Sequence, residues 1–190
     1  SDKAIKFNVE DTGYYRVQYD SASWNLLVAQ IPRLSEADRV NLLIDAWALV
    51  EAGREPVSHY LGLLDPVLND DQLAVYDQII DTFAFLNRLL AGDPLRPRFQ
   101  QYARAVLRPA FDRVDWEAKP GEKGKTAALR ASLIRGLGLL NDSDVIAGCR
   151  SRFDSFLSDP SSVAPDLRPA VFGVVGRYAD SPTWEKLHRL

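Results

Sequence analysis

Residues 1–20 are patterned differently from the rest of the chain. Ile5-Lys6-Phe7-Asn8-Val9 alternates apolar and polar side chains, the period-two pattern of a strand with one buried face. Glu10-Asp11-Thr12-Gly13 carries turn chemistry. Tyr14-Tyr15-Arg16-Val17-Gln18-Tyr19 is dense in aromatic and β-branched residues, so a short N-terminal β-hairpin is expected. Two strands alone are marginal in water. This pair must dock on helices or be the stump of a sheet lying mostly upstream.

From Ser21 the period becomes helical. Ser21 is positioned to cap a helix carrying Trp24, Leu27, Val28 and Ile31, which Pro32 ends. Ser35 followed by Asp38 has capping-box spacing ahead of Leu42, Leu43, Ala46, Leu49 and Val50, and Gly53 suits the C′ position. A short helix follows Pro56. Asp70 or Asp71 caps the next, which shows Leu73, Tyr76, Ile79, Ile80, Phe83, Leu86 and Leu90 and ends near Gly92. A helix after Pro94 runs through Phe99, Ala103, Val106 and Leu107 toward Phe111, with Pro109 expected to bend or shorten its end. Residues 115–125 form the longest loop-like stretch. Thr126 then opens a helix with Leu129, Leu133 and Leu137. Asp142 or Ser143 caps another, with Val145, Ile146, Cys149, Phe153 and Phe156. A helix near Pro165 carries Leu167, Val171, Val174 and Val175, and Ser181-Pro182 begins the last as an N-cap followed by Pro.

That is about nine helices on short loops, with core stripes wide enough to touch neighbours on more than one side. Helix pairs recur at roughly the spacing of helical-repeat arrays, but no residue signature recurs with them. The expected fold is mainly α: an irregular α-α superhelix of stacked helical hairpins, HEAT- or armadillo-like, preceded by the β-hairpin. Residues 1–20 would be the strand stump and residues 21–190 the helical domain.

Composition changes this picture little. The chain has 190 residues, 46% hydrophobic and 26% charged, which excludes a disordered or fibrous chain. A net charge of −3 offers no strong field for nucleic acid or an anionic membrane, and no apolar run approaches the roughly 20 residues of a membrane span. One Cys excludes an internal disulfide framework and a Cys-rich zinc site, and fits a reducing compartment unless an upstream signal directs the chain elsewhere. There is no Met, and the last helical pattern has no stop signal, so both ends are expected to be those of a fragment, with the helical domain truncated at its C-terminus.

Catalytic chemistry finds little purchase. The two His, His59 and His188, do not form the His-Glu-x-x-His pair that would set two imidazoles on one helix face, and read as surface or boundary residues. Cys149 lies at a core-facing position and reads as a small hydrophobe rather than a nucleophile. Residues 119–126 end in Gly-Lys-Thr before a helix, but a phosphate loop needs Gly where Lys119 stands and a strand in front. Carboxylates at Glu36, Asp38, Asp70 and Asp71 sit at helix starts, where the macrodipole favours them. Arg88, Arg96, Arg98, Arg104, Arg108, Arg113, Arg130 and Arg135 are spread along the helices. Solvation and ion pairs account for them; the alternative is a concave face meeting a carboxylate or a peptide bidentately.

Several stretches together resemble a family. Residues 6–19, containing Gly13-Tyr14-Tyr15-Arg16-Val17, look like the junction segment of zinc metallo-aminopeptidases of the aminopeptidase N type, a group that includes the puromycin-sensitive and endoplasmic-reticulum aminopeptidases. Trp24, Asp38-Arg39, Leu42-Leu43-Ile44-Asp45-Ala46, Ala52-Gly53, residues 116–122, Leu129-Arg130, residues 165–172 and Trp184 follow in the family's order. The resemblance implies the end of a small β-sandwich followed by much of a helical lid. That lid covers a zinc-dependent active site which removes N-terminal residues from peptides, and it helps bind the peptide. The zinc ligands and the motif that binds the substrate amine would lie in an upstream catalytic domain. The implied partners are therefore that domain, in the same polypeptide, and the peptide. No catalytic, metal or cofactor residue is carried onto this chain. Gly13, the tyrosines and Arg16 read as structural: a turn, cross-strand packing, and an ion pair or carbonyl contacts. The competing reading is a helical-repeat scaffold that binds a protein or peptide without peptidase function.

Overall fold

The computed structural model describes residues 4–67 and 72–190. The chain divides into two compact units, Ser1–Thr82 and Phe83–Leu190. The expected caps at Asp70 or Asp71 lie outside the described residues. Among the described residues there are ten α-helices and no strand: α1 (Ser21–Val28), α2 (Glu36–Glu51), α3 (Val57–Leu61), α4 (Leu64–Val67), α5 (Leu73–Leu89), α6 (Arg96–Val114), α7 (Gly124–Leu139), α8 (Ser143–Ser158), α9 (Arg168–Arg177) and α10 (Ser181–His188). The mainly α fold is as expected. The boundary between the units falls within α5.

The N-terminal β-hairpin is a correction. Residues 9–11 form a 3₁₀ turn, and Asn8, Glu10 and Asp11 have φ of 53°, 57° and 53°, outside any strand. The Asn8 side chain organises this turn: its Oδ1 accepts from Gly13 N–H at 2.6 Å, and its Nδ2 donates to Asp11 Oδ1 and the Gly13 carbonyl. Gly13 sits at a close approach, since a Cβ there would meet the Tyr15 ring at 2.3 Å and Asn8 Oδ1 at 2.9 Å. Instead of pairing as a ladder, the segment gives the Glu10 N–H to Asp38 at 2.9 Å and the Val17 N–H to Asp45 at 3.2 Å, both on α2. Tyr14 is fully exposed, so the tyrosines form no cross-strand pair.

Three helix starts are capped by a carboxylate. Asp20 caps α1, Asp142 caps α8 and Asp180 caps α10, each accepting backbone N–H bonds. In each case a Ser follows as the first helical residue. Ser21 and Ser181 are therefore not the caps, because a full negative charge outcompetes a hydroxyl at the positive helix end. Ser35 does cap α2, accepting from Asp38 N–H at 3.2 Å. Gly53, at φ 67°, follows the C-cap Ala52 as expected. Thr126 lies inside α7, which opens at Gly124. Pro109 does not end α6; the helix continues to Val114. Ala110, Phe111 and Val114 beyond it are buried, and their burial outweighs the roughly 3 kcal/mol an interior proline costs.

In the second unit α7 is the centre, packing against α6, α8 and α9. Every residue from Leu129 to Gly138 except the exposed Arg135 is buried, as expected of a helix packed on most sides by others. A Cβ on Gly138 would drive into Val174 of α9. Arg130 of α7 is 1% exposed and ties down the connection from α6. Its Nε donates to the Asp115 carbonyl at 2.7 Å, one terminal nitrogen to the Val114 carbonyl at 2.9 Å, and both terminal nitrogens to Glu122, at 2.7 and 2.5 Å. Trp116 in that connection stands edge-on to Phe111 and carries the Arg152 guanidinium 4.0 Å above its ring. A Cβ on Gly148 would meet Trp116 at 2.5 Å, so α8 needs glycine there.

Two outcomes test this packing. Phe83 is completely buried, edge-on to Phe99 at 5.8 Å. Phe83→Ala is expected to cost about 3–5 kcal/mol in urea unfolding, and a loss below about 1 kcal/mol would mean the site is not packed as described. Hydrogen bonds from Arg130 hold the Glu122 carboxyl below its ordinary range against a smaller opposing effect of burial, with the Lys119 N–H and then the charge of Arg130 adding to them. The folded value is depressed, so the pair's contribution is full above the ordinary Glu value of about 4.3 and is lost as pH falls through the folded one. The Tm–pH curve should therefore fall in acid, and Glu122→Gln should flatten that limb; identical acid limbs would contradict the pairing.

Candidate functional site

In the first unit, α2 presents a polar strip made by Asp38, Asn41 and Asp45, spaced three and four residues apart and all buried. Lys6 reaches Asp38 at 3.2 Å and Asn41 Oδ1 at 2.7 Å, and Asn41 Nδ2 donates to Asp11 at 2.8 Å. Arg16 pairs with Asp45 at 3.3 Å. Burial pushes the Asp45 carboxyl up, opposed by the Val17 N–H bond and Arg16. The segment bound on this strip encloses a cleft of about 430 Å³ lined by residues 11–16, the stretch carrying Gly13-Tyr14-Tyr15-Arg16. Arg16 thus makes the ion pair expected of it.

The other singled-out residues fall apart rather than together. His59, in the first unit, stacks on Trp24 with ring centroids 3.9 Å apart and lies 3.7 Å from Glu55. Burial lowers its pKa, with Glu55 opposing, so the imidazole is neutral at pH 7. His188 is exposed on α10 of the second unit. Cys149 is fully buried and its thiol is pushed up to about 12 by that burial, which leaves no thiolate for chemistry. Residues 119–126 follow a helix, not a strand. The Lys119 N–H goes to Glu122, the Glu122 N–H to the Lys119 carbonyl and the Thr126 N–H to the Lys123 carbonyl, so these donors are spent internally.

Most of the arginines are spent as well. Arg104 donates to the Leu140 carbonyl at 2.7 Å, Arg108 pairs with Asp142, Arg113 with the Pro109 carbonyl and Arg135 with Ser132. Arg98 is exposed near the start of α6 and stands apart, whereas Arg88, Arg96 and Arg177 meet in one place in the second unit. Two adjoining hollows of about 270 and 520 Å³ share Arg96, Leu139 and Arg177 as lining, and Arg88 lines the smaller. Asn87, 1% exposed, is the hub beneath them. Its Oδ1 accepts from Arg96 Nε at 3.0 Å and Gln100 at 2.9 Å, and its Nδ2 donates to the Leu139 carbonyl at 3.2 Å. Sequence reasoning named Arg88 and Arg96 but missed Asn87 and Arg177. Asn87 had a signal, standing four residues after Phe83 on the same helical stripe; Arg177 had none.

Among the described residues no group of three or more His, Cys, Asp or Glu is placed to hold a metal ion, so the residues here do not fit a zinc centre. No helix among them is long and apolar enough to cross a membrane.

Comparison with known proteins places this arrangement. The ERAP1-like C-terminal domain family matches residues 4–190. Aminopeptidase M1-A of Oryza sativa subsp. japonica is 31% identical over 174 residues, which is 88% of this chain and 20% of the relative. Aminopeptidase 2 of Candida albicans is 24% identical across 100% of this chain and 21% of its own length, and glutamyl aminopeptidase of Mus musculus is 24% identical over 90% of this chain. The chain spans about a fifth of the length of these curated relatives, and the match lies in their C-terminal part. The chain belongs to the ERAP1-like C-terminal domain family.

Proposed function

We propose that this chain is the non-catalytic C-terminal lid domain of a zinc aminopeptidase that removes N-terminal residues from peptides. In this reading it closes over the active-site cavity of a catalytic domain in the same polypeptide and helps bind the peptide. Closure of that kind acts by excluding water and positioning substrate. The observation that carries the reading is the family match over residues 4–190, joined to relatives named as aminopeptidases that are about five times longer than the match. Zinc and the hydrolytic step belong outside this chain, whose described residues offer no fitting ligand set. Residues 1–20 would connect to a preceding β-sandwich, with residues 21–190 forming the helical lid. Ile5, Phe7, Val9 and Tyr15 are each more than half exposed, and such large apolar side chains suit burial by a further domain.

The test uses the isolated chain and the polypeptide that contains it. The 190-residue chain should bind no stoichiometric zinc and hydrolyse no leucine p-nitroanilide; metal at one ion per chain with turnover would overturn the reading. Removing residues 21–190 from the longer polypeptide should lower kcat/KM for octapeptides by roughly tenfold or more, as expected when positioning contacts remote from the reacting bond are lost. Unchanged peptide hydrolysis would remove the lid role.

A further inference from the structure

Most arginines in the second unit are matched to an acceptor: Arg104 to a carbonyl, Arg108 to Asp142, Arg130 to Glu122, Arg152 to Glu117, Arg168 to the Val163 carbonyl, while Arg98 points to solvent outside both hollows. The groove formed by the two adjoining hollows is different. Arg88 has only the Phe85 ring, 5.7 Å away, and Arg177 only the Tyr178 ring, 6.0 Å away. Arg96 commits its Nε to Asn87 and keeps both terminal nitrogens free of any protein acceptor. No carboxylate lines either hollow. Like charges gathered without a counter-charge repel, so an anion from solution is attracted to the place where they meet.

The groove arginines are not needed to neutralise the carbonyl end of α7. The Gly138 carbonyl takes the Tyr178 hydroxyl at 2.7 Å, the Leu139 carbonyl takes Asn87, and the Leu140 carbonyl takes Arg104. Arg96 is also aimed rather than loose: buried Asn87 fixes its Nε, and Arg96 and Pro97 open α6, whose N-cap Leu95 supplies no side-chain acceptor. Asp93 spends an oxygen on the Leu95 N–H and is not part of the lining. The positive end of α6 therefore adds to the guanidinium charge.

Charge decides the ligand class. A single carboxylate would leave two of the three guanidinium charges uncompensated. A phosphate group carries about two negative charges near pH 7 and presents several acceptor oxygens to forked N–H donors, and a diphosphate comes closer still to balance. We propose that the groove between Asn87, Arg88, Arg96 and Arg177 is a binding site for a phosphate-class oxyanion, best matched by a diphosphate group. The assignment stands apart from the lid reading.

Titration calorimetry of the 190-residue chain at fixed ionic strength tests this, with sodium pyrophosphate, ADP and N-acetyl-leucine as probes. Pyrophosphate is expected to bind saturably with Kd below about 1 mM. Arg177→Ala and Arg88→Ala should each weaken it by roughly tenfold. Arg33→Ala, an exposed arginine of the other unit bonded only to Gln30, should not change it. The groove variants replace exposed side chains, and an unchanged Tm without ligand confirms that they fold. ADP binding tighter than pyrophosphate would assign the diphosphate to a nucleotide, and weaker binding to the free anion; both support the site. Absence of saturable binding, or binding indifferent to Arg88→Ala and Arg177→Ala, would overturn it. So would N-acetyl-leucine binding as tightly as pyrophosphate, which would make the groove a carboxylate site.

Discussion

Helix α7 is buried from Leu129 to Gly138 except at Arg135, and a helix in that position must satisfy its buried polar groups from other elements. At its first turns Arg130 is the clamp: one guanidinium engages Glu122 and the carbonyls that close α6, so the connection between the two helices is fixed from inside the core. At its last turn, three successive carbonyls are taken by the side chain of Tyr178 just after α9 and by side chains from α5 and α6. Unpaired carbonyls there would each cost about 1–3 kcal/mol. The helices around α7 are therefore placed by polar contacts at its two ends as much as by the leucines between them. This polar fastening also leaves Arg96 and Arg177 at the surface with their charge unspent.

The first unit solves a different problem by similar means. Its N-terminal segment has too few buried apolar side chains to hold itself, with Ile5, Phe7 and Val9 all exposed. What holds it is the strip of Asp38, Asn41 and Asp45, which receives two backbone N–H groups, an ammonium and a guanidinium. Buried carboxylates are costly unless each oxygen is matched, and here cations and N–H groups from the segment match them. The segment and the strip are thus each incomplete without the other.

Much of this was legible in the sequence. Helical periodicity located every described helix except α4, whose single turn was merged with the helix after Pro56, because long apolar stripes report directly on burial. The strand reading of residues 5–19 failed because alternation says which side chains could share a face, not whether a backbone partner exists. Asp38 and Asp45 capture the amides that a ladder would have used. Asp45 was the visible warning, a charge set inside Leu42-Leu43-Ile44-Asp45-Ala46. The residues on which the family resemblance rests came together in space: Arg16 with Asp45, and Trp116 and Glu122 with Arg130, Phe111 and Gly148. These are scaffold contacts between distant positions, which is why they form an ordered set along the chain without any one of them reading as a motif. The arginine groove was not legible, because it depends on which guanidinium groups the fold brings together in one hollow without a carboxylate.

Cys149 holds the only sulfur in the chain, since there is no Met. It is sealed in the core, and its thiol is held at about 12. An alkylating reagent can reach it only when α8 lifts away from its neighbours, so the rate of thiol labelling in native buffer is a clock for local opening of that helix. The molecule carries its own single-site probe of breathing, with no engineered label and no competing sulfur to confuse the readout.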